Sequence, residues 1–147
     1  MPLDGIWLYT TDTMAYRVYL VDDDRFLLDL YAVKFRAAGH DVEVFANGED
    51  LLTALRKDAS KKSPDAILLD LVMPGMSGFS ALETIRKEHL VQHAKIIILS
   101  NQGQDSDIEK AKQLSADGYI IKASAIPSEV FAETLRTIES PTAEKPR

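Results

Sequence analysis

The chain has 147 residues, of which 46% are hydrophobic and 27% are charged, and this composition predicts one globular domain with its own core. The absence of cysteine excludes disulfides, thiolate zinc sites and cysteine nucleophiles, while a formal net charge of −6 argues against a nucleic-acid surface and favours a bound cation. No apolar run reaches the roughly 18 residues of a membrane span, and no signal-peptide pattern is present, so we expect a cytoplasmic protein that does not contact the membrane.

Five strand and helix pairs follow one another along the sequence. Runs of β-branched and aliphatic residues predict strands at 16–21, 41–45, 66–69, 95–99 and 118–121. Apolar residues at three-to-four spacing predict helices at 26–38, 48–57, 79–89, 105–115 and 127–138. Three of the strands are almost continuously apolar, which is typical of a parallel sheet covered on both faces. The sequence therefore predicts an α/β fold, a (βα)5 doubly wound open sheet of five parallel strands.

Polar side chains stand at the carboxyl ends of four of these strands. The first strand is followed by Asp22 and Asp23, the third by Asp70, the fourth by Ser100 and the fifth by Lys122. Functional sites of open α/β sheets lie at this edge. In the flavodoxin-like strand order 2-1-3-4-5 the first and third strands are neighbours, so the three carboxylates would crowd together. A magnesium ion would relieve their repulsion, because Mg²⁺ is usually held by few carboxylates, a backbone carbonyl and waters.

These strand ends, together with the stretches "LVMPGMSG", "IIILSN" and "GYIIK", resemble the receiver domain of two-component response regulators over about residues 16–138. The resemblance implies Mg²⁺-dependent phosphorylation of Asp70 by a histidine kinase or a phosphotransfer protein. Asp70 would also bind the metal, together with Asp23 as a direct ligand and Asp22 acting mainly through metal-bound water. The backbone carbonyl of Val72 would supply a further metal oxygen.

The resemblance also implies a conformational switch. Ser100 and Lys122 would donate to the phosphoryl oxygens, and Tyr119 in the fifth strand would rotate when Ser100 moves. This rotation would remodel the face made by the fourth helix, the fifth strand and the fifth helix, to which an unknown downstream protein would bind. We expect a monomer or a weak dimer through this face, no direct contact with nucleic acid, and no enzymatic activity beyond self-catalysed phosphorylation and dephosphorylation.

Two positions depart from the family pattern. Ala123 follows Lys122 where the family usually has a proline after a cis bond. A cis bond before a non-proline residue costs about 3 to 4 kcal/mol, so this bond is either kept cis under strain or is trans. Asn101 follows Ser100 where a small apolar residue is commoner, and its bulk predicts slower phosphoryl transfer.

Other interpretations explain parts of the pattern less well. A receiver-like interaction module that works without phosphorylation would normally have lost an acid, the hydroxyl or the lysine, and this chain retains them all. A magnesium-dependent phosphatase with an aspartyl nucleophile would have a second acid where Val72 stands. We assign Asp24 to capping of the first helix, and His89 and His93 to the solvated surface.

The two ends of the sequence carry less information. Residues 1–15 are either a short accessory strand or, as we favour, a poorly ordered extension. Residues 139–147 contain "SPTAEKPR", which is typical of a flexible tail or the start of a linker. We interpret the chain as a stand-alone receiver domain over 16–138, with a receiver cut from a longer regulator as the nearest variant.

Overall fold

A parallel five-stranded sheet lies at the centre of the protein, which is described by a computed structural model over residues 15–57 and 63–141. The sheet has the strand order β2-β1-β3-β4-β5, and every neighbouring pair of strands is parallel. The strands are β1 (Arg17–Val21), β2 (Asp41–Phe45), β3 (Ala66–Leu69), β4 (Lys95–Ser100) and β5 (Gly118–Ile121). The predicted (βα)5 sheet and its flavodoxin-like order are therefore confirmed.

Five helices alternate with the strands: α1 (Arg25–Ala37), α2 (Gly48–Lys57), α3 (Gly78–Lys87), α4 (Asp105–Gln113) and α5 (Pro127–Glu139). Two of them end two residues earlier than the sequence predicts. His89 and Ser115 adopt positive φ angles of 53° and 64°, and a residue in this left-handed region closes a helix because it turns the chain away from the helix axis. No helix in the described part of the chain is long and apolar enough to cross a membrane.

The sheet divides the core into two layers. Side chains of β1 alternate between them, with Val18 and Leu20 in one layer and Tyr19 and Val21 in the other. One layer packs against α1 and α5, and the other packs against α2, α3 and α4. The central strands β3 and β4 are buried along their whole length. Neither face of these strands meets solvent, which explains why β3 is wholly apolar and why β4 is apolar between Lys95 and Ser100.

The predicted ends of the domain fall partly outside the described residues. Of the predicted extension 1–15 only Ala15 is described, and residues 142–147 of the predicted tail are also outside the described ranges. The last helix, α5, ends at Glu139, one residue beyond the boundary predicted at 138. That residues 1–15 are poorly ordered and that residues 139–147 are a flexible tail or the start of a linker stays a prediction.

Candidate functional site

Three carboxylates meet at the carboxyl edge of the sheet. Asp22 and Asp23 follow β1 and Asp70 follows β3, and the register of these two strands pairs their last residues, so the acids that follow are neighbours. One carboxylate oxygen from each residue lies within 4.8 Å of the other two. Asp22 and Asp70 are buried, whereas Asp23 is exposed. The structure thus brings together the three acids singled out in the sequence, in an arrangement that suits a hard divalent cation.

Lys122 lies beside this acid cluster and offsets part of its charge. It follows β5 at the start of a 3₁₀ turn, and its side chain is 9% exposed. The Nζ atom is 2.5 Å from Oδ2 of Asp22 and 3.6 Å from Oδ1 of Asp70. Every described peptide bond is trans, so the bond between Lys122 and Ala123 is trans. The ammonium therefore reaches the acids without the cis bond that is usual in the family.

The electrostatics of the cluster act most strongly on Asp70. Burial and the neighbouring charge of Asp22 raise the pKa of Asp70 to about 6, and the Lys122 ammonium and two backbone N–H groups offset only part of this effect. Burial lowers the pKa of Lys122, but its hydrogen bond to Asp22 and the charges of both acids outweigh burial and raise it. At neutral pH Asp70 is ionised and Lys122 is protonated, so a buried carboxylate oxygen faces a fixed positive charge.

The loop after β3 explains why this strand ends on an acid followed by glycines. Val72 is exposed, and its backbone N–H and that of Leu71 donate to the Asp70 carboxylate. Gly78 donates its N–H to the Leu71 carbonyl at 2.9 Å, which brings the first turn of α3 against the strand end. A Cβ atom at Gly78 would lie 2.1 Å from the carbonyl oxygen of Asp70. Only glycine allows this close approach, which holds the backbone directly after the Asp70 side chain against the first turn of α3.

Ser100 and Tyr119 are linked through the backbone of one residue that lies between β4 and α4. Ser100 ends β4 and is 1% exposed, and its Oγ accepts a hydrogen bond from the Gln102 N–H at 3.2 Å. The hydroxyl of Tyr119 donates to the Gln102 carbonyl. Sequence reasoning missed the role of Gln102, because a contact made by backbone atoms leaves no side-chain signature.

Asp24, His89 and His93, which the sequence assigned to a helix cap and to the solvated surface, are found in those positions. Asp24 caps α1, where its Oδ1 accepts from the N–H groups of Phe26 at 3.1 Å and Leu27 at 3.2 Å. Its backbone N–H donates separately to Oδ1 of Asp22 at 2.9 Å, a contact that does not involve the capping side chain. His89 and His93 are both exposed, as predicted.

Comparison with known proteins identifies the family. The family model described as the response regulator receiver domain matches residues 18–131. The DNA-binding response regulator MtrA of Mycobacterium tuberculosis is 34% identical over 111 residues, which are 76% of this chain and 46% of MtrA. The chain therefore spans about half the length of the curated relatives that it matches.

Solved structures share this fold. The chemotaxis protein CheY4 of Vibrio cholerae shares the fold with a TM-score of 0.75 at 23% identity, and the match covers 84% of this chain and 99% of CheY4. The phosphorylated cyanobacterial phytochrome response regulator RcpA is 26% identical with a TM-score of 0.71, and the match covers 82% and 89% of the two chains. The family model covers most of the sequence, and the strand order is the β2-β1-β3-β4-β5 order expected from the sequence. This chain therefore belongs to the family of response regulator receiver domains.

Proposed function

We propose that this receiver domain is a phosphoacceptor of a two-component system, in which Asp70 takes a phosphoryl group from a histidine kinase or a phosphotransfer protein in a Mg²⁺-dependent reaction. The observation that carries the proposal is the cluster of Asp22, Asp23 and Asp70 within 4.8 Å, with the ammonium of Lys122 3.6 Å from Asp70. This arrangement combines a nucleophile, a set of metal ligands and a fixed positive charge, which are the parts that phosphoryl transfer needs.

The chain's own residues divide the chemistry between them. A carboxylate oxygen of Asp70 attacks phosphorus in line, a P–O bond forms, the P–N bond to the donor histidine breaks, and its electron pair stays on the imidazole nitrogen. Lys122 and Ser100 donate to phosphoryl oxygens as charge builds on them. The carboxylates of Asp22, Asp23 and Asp70 and the Val72 carbonyl would hold Mg²⁺, which would offset negative charge on both the acids and the phosphoryl group.

Mass spectrometry of the intact protein tests the proposal directly. The protein is incubated with acetyl phosphate, once with Mg²⁺ and once with a chelator, and the number of phosphoryl groups per chain is counted. We expect one phosphoryl group with Mg²⁺ and none without it. If no adduct forms with Mg²⁺, the result would favour a receiver-like interaction module that works without phosphorylation.

Asp23→Ala is expected to weaken Mg²⁺ binding by at least about tenfold, because the ion loses a charged oxygen ligand. Calorimetric titration of the unphosphorylated protein measures the affinity. Asp24→Ala is the matched control, since Asp24 is the adjacent exposed acid and caps α1. The control should lose about 1 kcal/mol of folding stability but retain its Mg²⁺ affinity. Equal affinities in wild type and Asp23→Ala would remove Asp23 from the metal site.

The output surface that we propose is the face made by α4, β5 and α5, where a downstream protein or a second copy of the chain would bind. Its coupling to Asp70 is supported by the two hydrogen bonds that join Ser100 and Tyr119 to the backbone of Gln102. When Ser100 turns toward the phosphoryl group, its Oγ gives up the Gln102 N–H, and the loop that holds the Tyr119 hydroxyl is released. A local electrostatic change is thereby passed to a surface.

Ser100→Ala should separate phosphorylation from this response. Asp70 should still accept a phosphoryl group, while the amide NMR shifts that beryllofluoride induces in α4 and β5 should fall well below those of wild type. Ser106→Ala changes an exposed serine in the first turn of α4 and serves as the control, for which we expect the full shift pattern. If Ser100→Ala also shows the full pattern, the signal does not pass through Ser100 and the output face lies elsewhere.

A further inference from the structure

A buried histidine joins three parts of the chain at the edge of the sheet opposite the acid cluster. His40 precedes β2 and is 8% exposed, and its Nδ1 accepts a hydrogen bond from the backbone N–H of Tyr16 at 3.0 Å. The Tyr16 carbonyl accepts from the N–H of Asp41 at 2.9 Å. The Tyr16 hydroxyl donates to Oε2 of Glu139, in the last turn of α5, at 2.9 Å. One imidazole nitrogen therefore helps to hold the entry to β1, the start of β2 and the end of α5.

The hydrogen bond to Tyr16 requires a neutral imidazole. Nδ1 accepts only while it carries no proton, and protonation would place an N–H group against the N–H of Tyr16. Aromatic rings enclose the imidazole: Tyr16 stacks on it at 5.4 Å between ring centroids, Phe35 meets it at 6.4 Å and Phe131 at 6.0 Å. These rings keep water from solvating a charged imidazole.

The charged groups around His40 do not compensate for this burial. Asp65, which precedes β3, raises the pKa of His40, but loss of hydration is the larger effect, and the pKa lies below its ordinary value of 6.5. The Asp65 carboxylate is also engaged by the N–H of Arg17 at 2.8 Å. Glu139 on α5 accepts from a tyrosine hydroxyl, and Lys34 on α1 lies over the Phe131 ring at 5.7 Å.

We propose that His40 is an acid-sensitive latch, in which protonation of Nδ1 breaks the bond from Tyr16 and loosens the entry to β1 and the last turn of α5 before the core opens. The latch itself does not depend on Asp70. One consequence rests on the proposed function: because α5 forms part of the proposed output face, acid would alter that face without phosphorylation.

The direction of the effect on stability follows from the two protonation equilibria. The unfolded chain takes up the proton near pH 6.5, and the folded chain takes it up only at lower pH. The stability that neutral His40 supplies is complete above this range and is lost as the pH falls through it. Within the window the unfolding equilibrium constant should rise by up to about tenfold per pH unit, relative to a variant without the titrating ring.

NMR titration of wild type from about pH 8 to about pH 5 tests the latch, because this range extends to both sides of the ordinary histidine pKa. The backbone amide of Tyr16 should shift with the same midpoint as the His40 ring, and that midpoint should lie below 6.5. Hydrogen exchange in the last turn of α5 should accelerate with protonation relative to the amide of Ile97 in β4. Parallel acceleration at Ile97 would mean global unfolding and would overturn the latch.

His40→Asn is the matched variant, because its amide oxygen can take the position of Nδ1 and accept from Tyr16 without titrating. The unfolding comparison is made in an Asp70→Asn background, since the raised pKa of Asp70 gives an opposite pH dependence in the same range. We expect the acid-induced loss of stability only when His40 is present. Coincident pH profiles would overturn the proposal. If His40→Asn does not fold, the titration of the Tyr16 amide in wild type decides alone. The latch is then contradicted if the Tyr16 amide does not shift, or if it shifts with a midpoint at or above pH 6.5.

Discussion

Asp70→Asn is expected to abolish the phosphoryl adduct and, at the same time, to stabilise the folded protein at neutral pH. The adduct disappears because an amide is not a nucleophile toward phosphorus at this position. The stability rises because the ionised carboxylate is disfavoured in the fold: it is buried beside Asp22, and its pKa is raised from 3.8 to about 6. An asparagine of nearly the same shape removes this charge and leaves Lys122 paired with Asp22 at 2.5 Å.

The pH dependence of stability makes this prediction specific. The folded Asp70 takes up its proton near pH 6, whereas the unfolded chain does so near pH 3.8, so this residue makes the wild type more stable as the pH falls through that window. The shift corresponds to roughly 3 kcal/mol of free energy of unfolding lost at neutral pH, as an order of magnitude. Asp70→Asn should lack this slope, and urea unfolding at several pH values measures it.

Two outcomes would contradict the assignment of Asp70. An adduct that persists at full stoichiometry in Asp70→Asn would move the phosphoacceptor to another residue. A variant less stable than wild type at neutral pH would mean that the charge of Asp70 is needed to hold Lys122 and the fold. Asp50→Asn changes an exposed acid in the first turn of α2 and serves as the control. It should retain the adduct and show the pH slope of wild type.

The sequence predicted the sheet and the acid cluster because both follow from local patterns. Apolar continuity in β3 and β4 reflects burial on both faces, and this constraint can be read one strand at a time. Once parallel strands are arranged in the order β2-β1-β3-β4-β5, the residues after β1 and β3 must be neighbours, so Asp22 and Asp70 meet without any further information.

What the sequence could not predict depends on contacts between distant atoms. The motif placed Lys122 near the phosphoryl group, but only the packing of β5 shows that the ammonium lies closer to Asp22 than to Asp70. The link through Gln102 uses backbone atoms that any residue carries. The sequence predicted α3 and α4 two residues too long, because histidine and serine are both compatible with a helix. The positive φ angles of His89 and Ser115, which close these helices, cannot be read from residue type.

Lys122→Met is expected to have opposite effects on phosphorylation and on metal binding. Methionine retains the apolar stem of the side chain but removes the ammonium, which leaves Asp22 and Asp70 buried without their cation. Without Mg²⁺ the free energy of unfolding should fall by about 3 to 5 kcal/mol, the usual cost of removing one partner from a buried ion pair. Phosphorylation by acetyl phosphate should slow by about 10² to 10³-fold, because a charge that stabilises the phosphoryl oxygens is lost.

Affinity for Mg²⁺ should rise in the same variant, and this sign separates a direct electrostatic role of Lys122 from a merely structural one. The ammonium lies 2.5 Å from Asp22, so it competes with a metal ion for that carboxylate, and its removal leaves the three acids more negative. Added Mg²⁺ should also restore much of the lost stability, because it binds the folded cluster and not the unfolded chain. Calorimetry and urea unfolding with and without Mg²⁺ measure both effects, and Lys112→Met, on the exposed side of α4, should change neither. If Lys122→Met binds Mg²⁺ no more tightly than wild type, the lysine and the metal do not share Asp22, and the ammonium would have to stabilise the phosphoryl group from a position that leaves its pair with Asp22 intact.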